Sequence, residues 1–216
     1  MQGKPEKWPQ LKQKKAGREN GMSPYSRRRS PARHGSSALV RKRLNSKAPG
    51  AAAGSGVTRP FDLSAIPLSV HQQTMRLAIA AARANPFFPF GAVIVRAADR
   101  EVMATGVNNR SANPSFHGEI VAINDYVARH GNRGWEEVIL YTTGEPCPMC
   151  MSTLVWTRVG GVVYGTSIEK LQQLGIEQIL LPATAVIAAA PFYQGQVLGH
   201  VLDSETDALF ANRQRL

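Results

Sequence analysis

The chain has 216 residues, and its formal net charge of +11 belongs to one end. Residues 1–60 carry 15 Lys and Arg against 2 Asp and Glu, whereas residues 61–216 carry 11 against 13, so the basic character describes a tail and not the remainder. No stretch has the length of a membrane-spanning helix and no apolar h-region follows the early arginines, which sets aside membrane and secretory classes; beyond the tail, enough chain remains for one domain with a full hydrophobic core.

Residues 1–60 are rich in Arg, Lys, Ser, Pro and Gly, with runs such as Ser26-Arg27-Arg28-Arg29-Ser30 and Arg41-Lys42-Arg43. Too little periodic apolar pattern is present to offset chain entropy, so a disordered basic tail is predicted there. Its composition suits a solvated extension, a nucleic-acid-binding arm, an organellar transit peptide or translation from an upstream start. Ala51-Ala52-Ala53-Gly54-Ser55-Gly56 reads as a flexible linker. Residues 61–216 then form the predicted catalytic domain.

Ser69 is the expected N-cap of a first helix whose inner face carries Val70, Met75, Leu77, Ala78, Ala81 and Ala82 and which ends before Pro86. Ala92-Val93-Ile94-Val95 reads as a buried strand. Asp99-Arg100 marks a turn, and Val102 to Val107 the returning strand of a hairpin. A loop through Asn108-Asn109-Arg110 and Asn113-Pro114 leads to a helix from His117 to His130, with Ile120, Val121, Ile123 and Val127 inward, stopped by Gly131 to Gly134. Val138 to Thr143 gives another buried strand. A helix to about Thr157 follows at once, then a strand over Val159 to Tyr164 and a short helix from Ile168 to Leu174. Pro182 to Ala188 fits strand or helix, and Asp203 to Arg213 a terminal helix docked through Leu209 and Phe210. Strands alternating with helices imply a parallel-rich sheet covered on both faces.

The chemistry concentrates at two strand-to-helix transitions, where α/β folds place their ligands. Cys147-Pro148-Met149-Cys150 holds the only two cysteines, and Cys-x-x-Cys at a helix start lets both sulfurs converge on one ion while nearby N–H groups favour thiolates. His117 supplies a third ligand, leaving the fourth position of a tetrahedral zinc to water, which is a catalytic and not a structural arrangement. Glu119, two residues from His117, faces that water without binding metal and is the candidate proton carrier. The expectation is one zinc held by His117, Cys147 and Cys150. Glu145 reads as a cap for the helix that begins at Pro146. His34, His71, His130 and His200 are read as structural or exposed, and Trp135 and Trp156 as packing residues. Gly-rich phosphate loops and a Ser/His/Asp arrangement are missing from the sequence, so no organic cofactor is called for.

His-x-Glu followed by Pro-Cys-x-x-Cys is the signature of zinc-dependent nucleobase deaminases, and the chain resembles the cytidine/deoxycytidylate deaminase superfamily. The blocks Pro89-Phe90-Gly91-Ala92-Val93-Ile94-Val95, Gly106-Val107-Asn108-Asn109, His117-Gly118-Glu119-Ile120 and Glu145-Pro146-Cys147-Pro148-Met149-Cys150 are similar to its guanine deaminase and tRNA adenosine deaminase branches. Gly118 stands where both branches usually have alanine, and the acidic loop and terminal tyrosine that read guanine have no evident counterpart. The resemblance implies a three-layer α/β/α sandwich around a mixed, mostly parallel five-stranded sheet. It implies a hydrolytic deaminase releasing ammonia from a purine base or nucleoside, with Asn108 hydrogen-bonding the substrate and Phe90 packing near the base. A cytoplasmic homodimer is expected. The acidic balance of residues 61–216 favours a small-molecule purine over RNA, leaving A-to-I deamination of tRNA as the alternative. A zinc-stabilised nucleic-acid-binding module without catalysis is the non-enzymatic alternative, disfavoured because folding has no need of Glu119.

Overall fold

A computed structural model of the protein describes residues 61–215; the expected disordered tail, its linker and His34 lie outside the described residues. In order the chain forms α1 (Leu68–Ala82), β1 (Gly91–Arg96), β2 (Val102–Val107), α2 (Gly118–His130), β3 (Val138–Gly144), α3 (Pro148–Thr157), β4 (Gly161–Thr166), α4 (Ile168–Gln173), α5 (Ala183–Ala188), β5 (Gln196–Leu198) and α6 (Asp203–Ala211). The strands lie in the order β2-β1-β3-β4-β5. β1 runs antiparallel to both of its neighbours, while β3, β4 and β5 are parallel. Four strands therefore share one direction and β1 opposes them, the mixed, mostly parallel sheet that was expected.

Alternation along the strands builds the layers. Ala92, Ile94, Leu140 and Val162 enter one core with residues of α2, α3 and α5. Val93, Val95, Ile139, Tyr141 and Val163 enter the other, against Met75, Ala78 and Ile79 of α1. Because successive side chains point to opposite faces, a strand apolar at every position must be covered twice. α6 closes the second face, with Phe210 buried against Leu171 and Ile176. Among the described residues no helix is long and apolar enough to cross a membrane.

Several local expectations shift. Ser69 lies inside the first turn of α1, whose N-cap is Pro67 and has no side-chain cap. The buried face of α1 includes His71, Thr74 and Ile79, and Leu77 points outward. His71 is satisfied: the Tyr141 hydroxyl donates to Nδ1 at 2.8 Å and the Nε2–H donates to Leu63 O at 3.0 Å. α2 is rotated so that Ala122, Ile123 and Tyr126 are inside and Val127 is exposed. Trp135 is core, but Trp156 is 75% exposed and stacks on Phe192, with ring centroids 5.2 Å apart. The segment from Pro182 is helix α5, and α6 stops at Ala211. Strand β5, of only three residues, carries no alternation by which the sequence could announce it.

Candidate active site

Both halves of the site are helix N-caps. His117 caps α2 and Cys147 caps α3, each with extended backbone and neither using its side chain to cap. Pro148 takes the first helical position of α3, where a missing N–H costs nothing. The ligating atoms are thus free to face the gap between the two helix starts at the ends of the strands. One ligand atom each from His117, Cys147 and Cys150 lies within 4.8 Å of the others. His117 Nδ1 is 3.5 Å from Cys147 Sγ and 3.6 Å from Cys150 Sγ. Tetrahedral zinc, with bonds of about 2.05 Å to nitrogen and 2.3 Å to sulfur, separates such donors by about 3.6 Å, so the set fits the metal.

The protons of this cluster are arranged accordingly. Cys150 donates to the Cys147 sulfur, and this bond, with the His117 bond and the Cys150 N–H, brings Cys147 down to about 4. Cys150, sharing its proton and deeply buried, is pushed up. His117 is raised, chiefly through its bond to Cys147. Glu119 is 3% exposed, and burial pushes its carboxyl up. Thr142 Oγ1 donates to its Oε1 at 3.2 Å, fixing the carboxylate beside the cluster.

A cavity of about 570 Å³ opens on this cluster, and His117, Cys147, Glu119, Asn108 and Phe90 all line it. Phe90 is steadied by Phe210, with ring centroids 4.7 Å apart. Asn108 is held from several sides. Its N–H donates to Phe90 O at 2.9 Å, its carbonyl accepts from Asn85 Nδ2 at 2.8 Å, and its Oδ1 accepts from Arg110 N–H at 3.2 Å. Asn85, which sequence reasoning passed over, also accepts from the N–H groups of Phe87 and Phe88 and so shapes the whole Pro86–Phe90 wall.

Gly118 is explained by the same wall. A Cβ there would lie 2.6 Å from Phe90 O, so any side chain would push α2 away from the entry to β1. Glu145 is buried but does not cap α3 as expected. Its carboxylate accepts from Ile168 N–H and Ala183 N–H, both at 2.8 Å, and so caps α4 and α5 together. Arg110, Glu177 and Arg213 also line the cavity and were not singled out from the sequence. Glu177 follows α4 and Arg213 follows α6, and no spacing along the chain relates either to the metal motif.

A family model for the cytidine and deoxycytidylate deaminase zinc-binding region matches residues 68–166. Guanine deaminase of Bacillus subtilis is 33% identical over 132 residues, 58% of this chain and 83% of that protein. A tRNA-specific adenosine deaminase of Streptococcus pyogenes is 38% identical over 84 residues, 38% of this chain and 52% of that protein. Among solved structures, guanine deaminase from Nitrosomonas europaea superposes with a TM-score of 0.57 at 21% identity, over 65% of this chain and 84% of that one, a likeness of fold.

Proposed function

The chain belongs to the cytidine and deoxycytidylate deaminase family, whose members are hydrolases of C–N bonds, and from that premise we propose a zinc-dependent aminohydrolase acting on a purine base or nucleoside. The observation that carries this reading is the joint lining of one cavity by His117, Cys147, Glu119, Asn108 and Phe90. His117, Cys147 and Cys150 hold the zinc, which when bound acts as a Lewis acid that lets water serve as nucleophile near neutral pH.

The remaining work falls to the chain's own residues. Glu119 takes one proton of the water at its carboxylate and delivers it to the ring nitrogen, then takes the remaining proton of the added hydroxyl and passes it to the departing amine as the carbonyl forms. Burial raises its carboxyl toward the range where one group can both accept and donate. Asn108 orients the base: its Oδ1 is committed to Arg110 N–H, and its Nδ2 makes no hydrogen bond to the described protein. Phe90 supplies an apolar face. Water and the amine are exchanged for ammonia and a carbonyl. Guanine is favoured over adenine because a carboxylate such as Glu177 complements the N1–H and 2-amino donors that only guanine presents together. The likeness to guanine deaminase over most of that protein's length supports the same choice. A second reading, deamination of adenosine in tRNA, draws on the 38% identity to the Streptococcus enzyme.

Thiolate ligands suit a reducing compartment, here the cytoplasm. A homodimer would cover the exposed Trp156–Phe192 pair. The test is ammonia release from guanine, guanosine, adenine, adenosine, cytosine and a tRNA anticodon hairpin, with metal analysis of the same samples. Turnover of guanine or guanosine with about one zinc per chain is expected. Turnover confined to the hairpin selects the second reading, and undiminished zinc in Cys147→Ala overturns the ligand assignment.

A further inference from the structure

The cavity wall carries two guanidiniums beside the carboxyls of Glu119, Glu145 and Glu177, and a neutral base uses neither guanidinium. Arg110 and Arg213 both line it, from opposite ends of the domain sequence, and neither has a carboxylate within ion-pair distance among the described residues. The exposed acid of that wall, Glu177, pairs with neither of them. Both guanidiniums are held in place. Arg110 lies over the Phe88 ring, 4.6 Å from its centroid, and its backbone N–H is tied to Asn108 Oδ1. Arg213 donates through Nη1 to Phe210 O at 2.9 Å and through Nη2 to Gly175 O at 3.4 Å. A guanidinium has five N–H donors, so these tethers leave each with several to spare.

These two cations stand out because residues 61–216 hold more acids than bases, 13 against 11. A domain of that balance offers anionic ligands no general attraction, so a preference for them has to come from cations at the site itself. Positioned guanidiniums are the side chains best suited to phosphate, through paired, charge-assisted hydrogen bonds. At about 570 Å³ the cavity falls mid-range for pockets that bury drug-sized ligands, leaving room beyond a bare purine. Past Arg213 and Phe88 the groove continues into a second cavity of about 560 Å³ that both residues share and Arg215 borders.

Resting on the purine reading of the site, we propose that the substrate is a purine nucleoside bearing a phosphate, a mononucleotide, and that Arg110 and Arg213 are the specificity residues that hold the phosphate. The base stacks toward Phe90 and Asn108, and the phosphate sits at the rim. The reaction is unchanged: one water in, one ammonia out, and the phosphate ester intact in the product.

Guanine, guanosine, guanosine 5′-monophosphate and a short guanine-containing single-stranded RNA are compared for kcat/KM at fixed ionic strength, on the full chain. The monophosphate is expected to exceed guanosine by about 10- to 100-fold, the effect of a charged hydrogen-bond pair, and mainly through KM. Arg110→Gln and Arg213→Gln should each reduce that ratio by about fivefold or more, with Arg→Lys recovering part of it. A monophosphate no better than guanosine, or a ratio unmoved in both variants, overturns the proposal and leaves purine deamination standing. A preference for the RNA over the monophosphate keeps the phosphate contact and overturns the mononucleotide. If no purine is turned over in any form, the proposed function fails, and calorimetric titration with inorganic phosphate decides the anion site. Binding that Arg110→Gln abolishes retains the site; the lack of binding removes it.

Discussion

Glu119 is the residue on which the enzymatic reading turns, because a zinc-stabilised module without catalysis has no use for a proton carrier there. It is buried, lies two positions from a metal-ligand candidate, and has Thr142 Oγ1 as its side-chain donor. A buried carboxyl raised by desolvation is a cost to the domain, and such a cost persists where chemistry uses it. Glu119→Gln preserves shape and can still accept from Thr142 through its amide oxygen, so it should fold and retain metal. An amide cannot shuttle protons, and turnover should fall by ~10²- to 10⁴-fold. Ammonia release and metal content measured on one preparation check both halves of the expectation. Near-normal turnover would move the proton carrier elsewhere, whereas a loss of zinc would make Glu119 part of the metal site.

At the level of elements, Glu145 ties together two helix starts that are remote in sequence. Its carboxylate takes one N–H from α4 and one from α5, and the chain between those helices brings Ile176, Glu177 and Gln178 to the cavity wall. Glu145→Ala leaves two buried donors unpaired, at about 1–3 kcal/mol each, which for a domain of this size lowers the melting temperature by roughly 5–25 °C. The KM should rise as well, since that wall loosens; an unchanged melting curve would refute the double cap. The sequence could show that Glu145 was a capping residue but not which helices it caps, because the partners are set by strand order. The same limit explains Glu177 and Arg213, whose approach to the cavity depends on where α4 and α6 dock. That His117, Cys147 and Cys150 would meet beside Glu119 was legible because the His-x-Glu and Cys-x-x-Cys spacings sit at two helix starts. The interior strands were legible too, being apolar at successive positions, while β5 was too short to show a pattern. Ser69 misled because Pro67 had already set the start of α1. Gly118 was visible as a departure from the family, but its cause, the approach of Phe90 O, is a contact between elements.

For the whole molecule, the division of charge allows residues 1–60 and the described domain to be tested separately. Residues 1–60 carry 15 of the 26 Lys and Arg, and the residues that line the cavity run from Phe88 to Arg213. The described domain is anchored from its first residues: Leu63 is 2% exposed and its N–H donates to Gln196 Oε1 at 2.8 Å, joining the start of the domain to β5. Phe61 packs against the same core. A chain beginning at Phe61 therefore keeps its internal contacts and should match the full chain in kcat/KM on guanosine and its monophosphate. The two substrates should nevertheless respond differently to salt. Guanosine turnover should be nearly indifferent to it, and turnover of the monophosphate should weaken modestly, because only the two rim arginines address its charge. An RNA substrate drawn in by the tail would behave otherwise, with steep salt dependence in the full chain that truncation abolishes. Loss of guanosine turnover on truncation, with zinc retained, would make the basic segment part of the catalytic unit and overturn the separation of tail from enzyme.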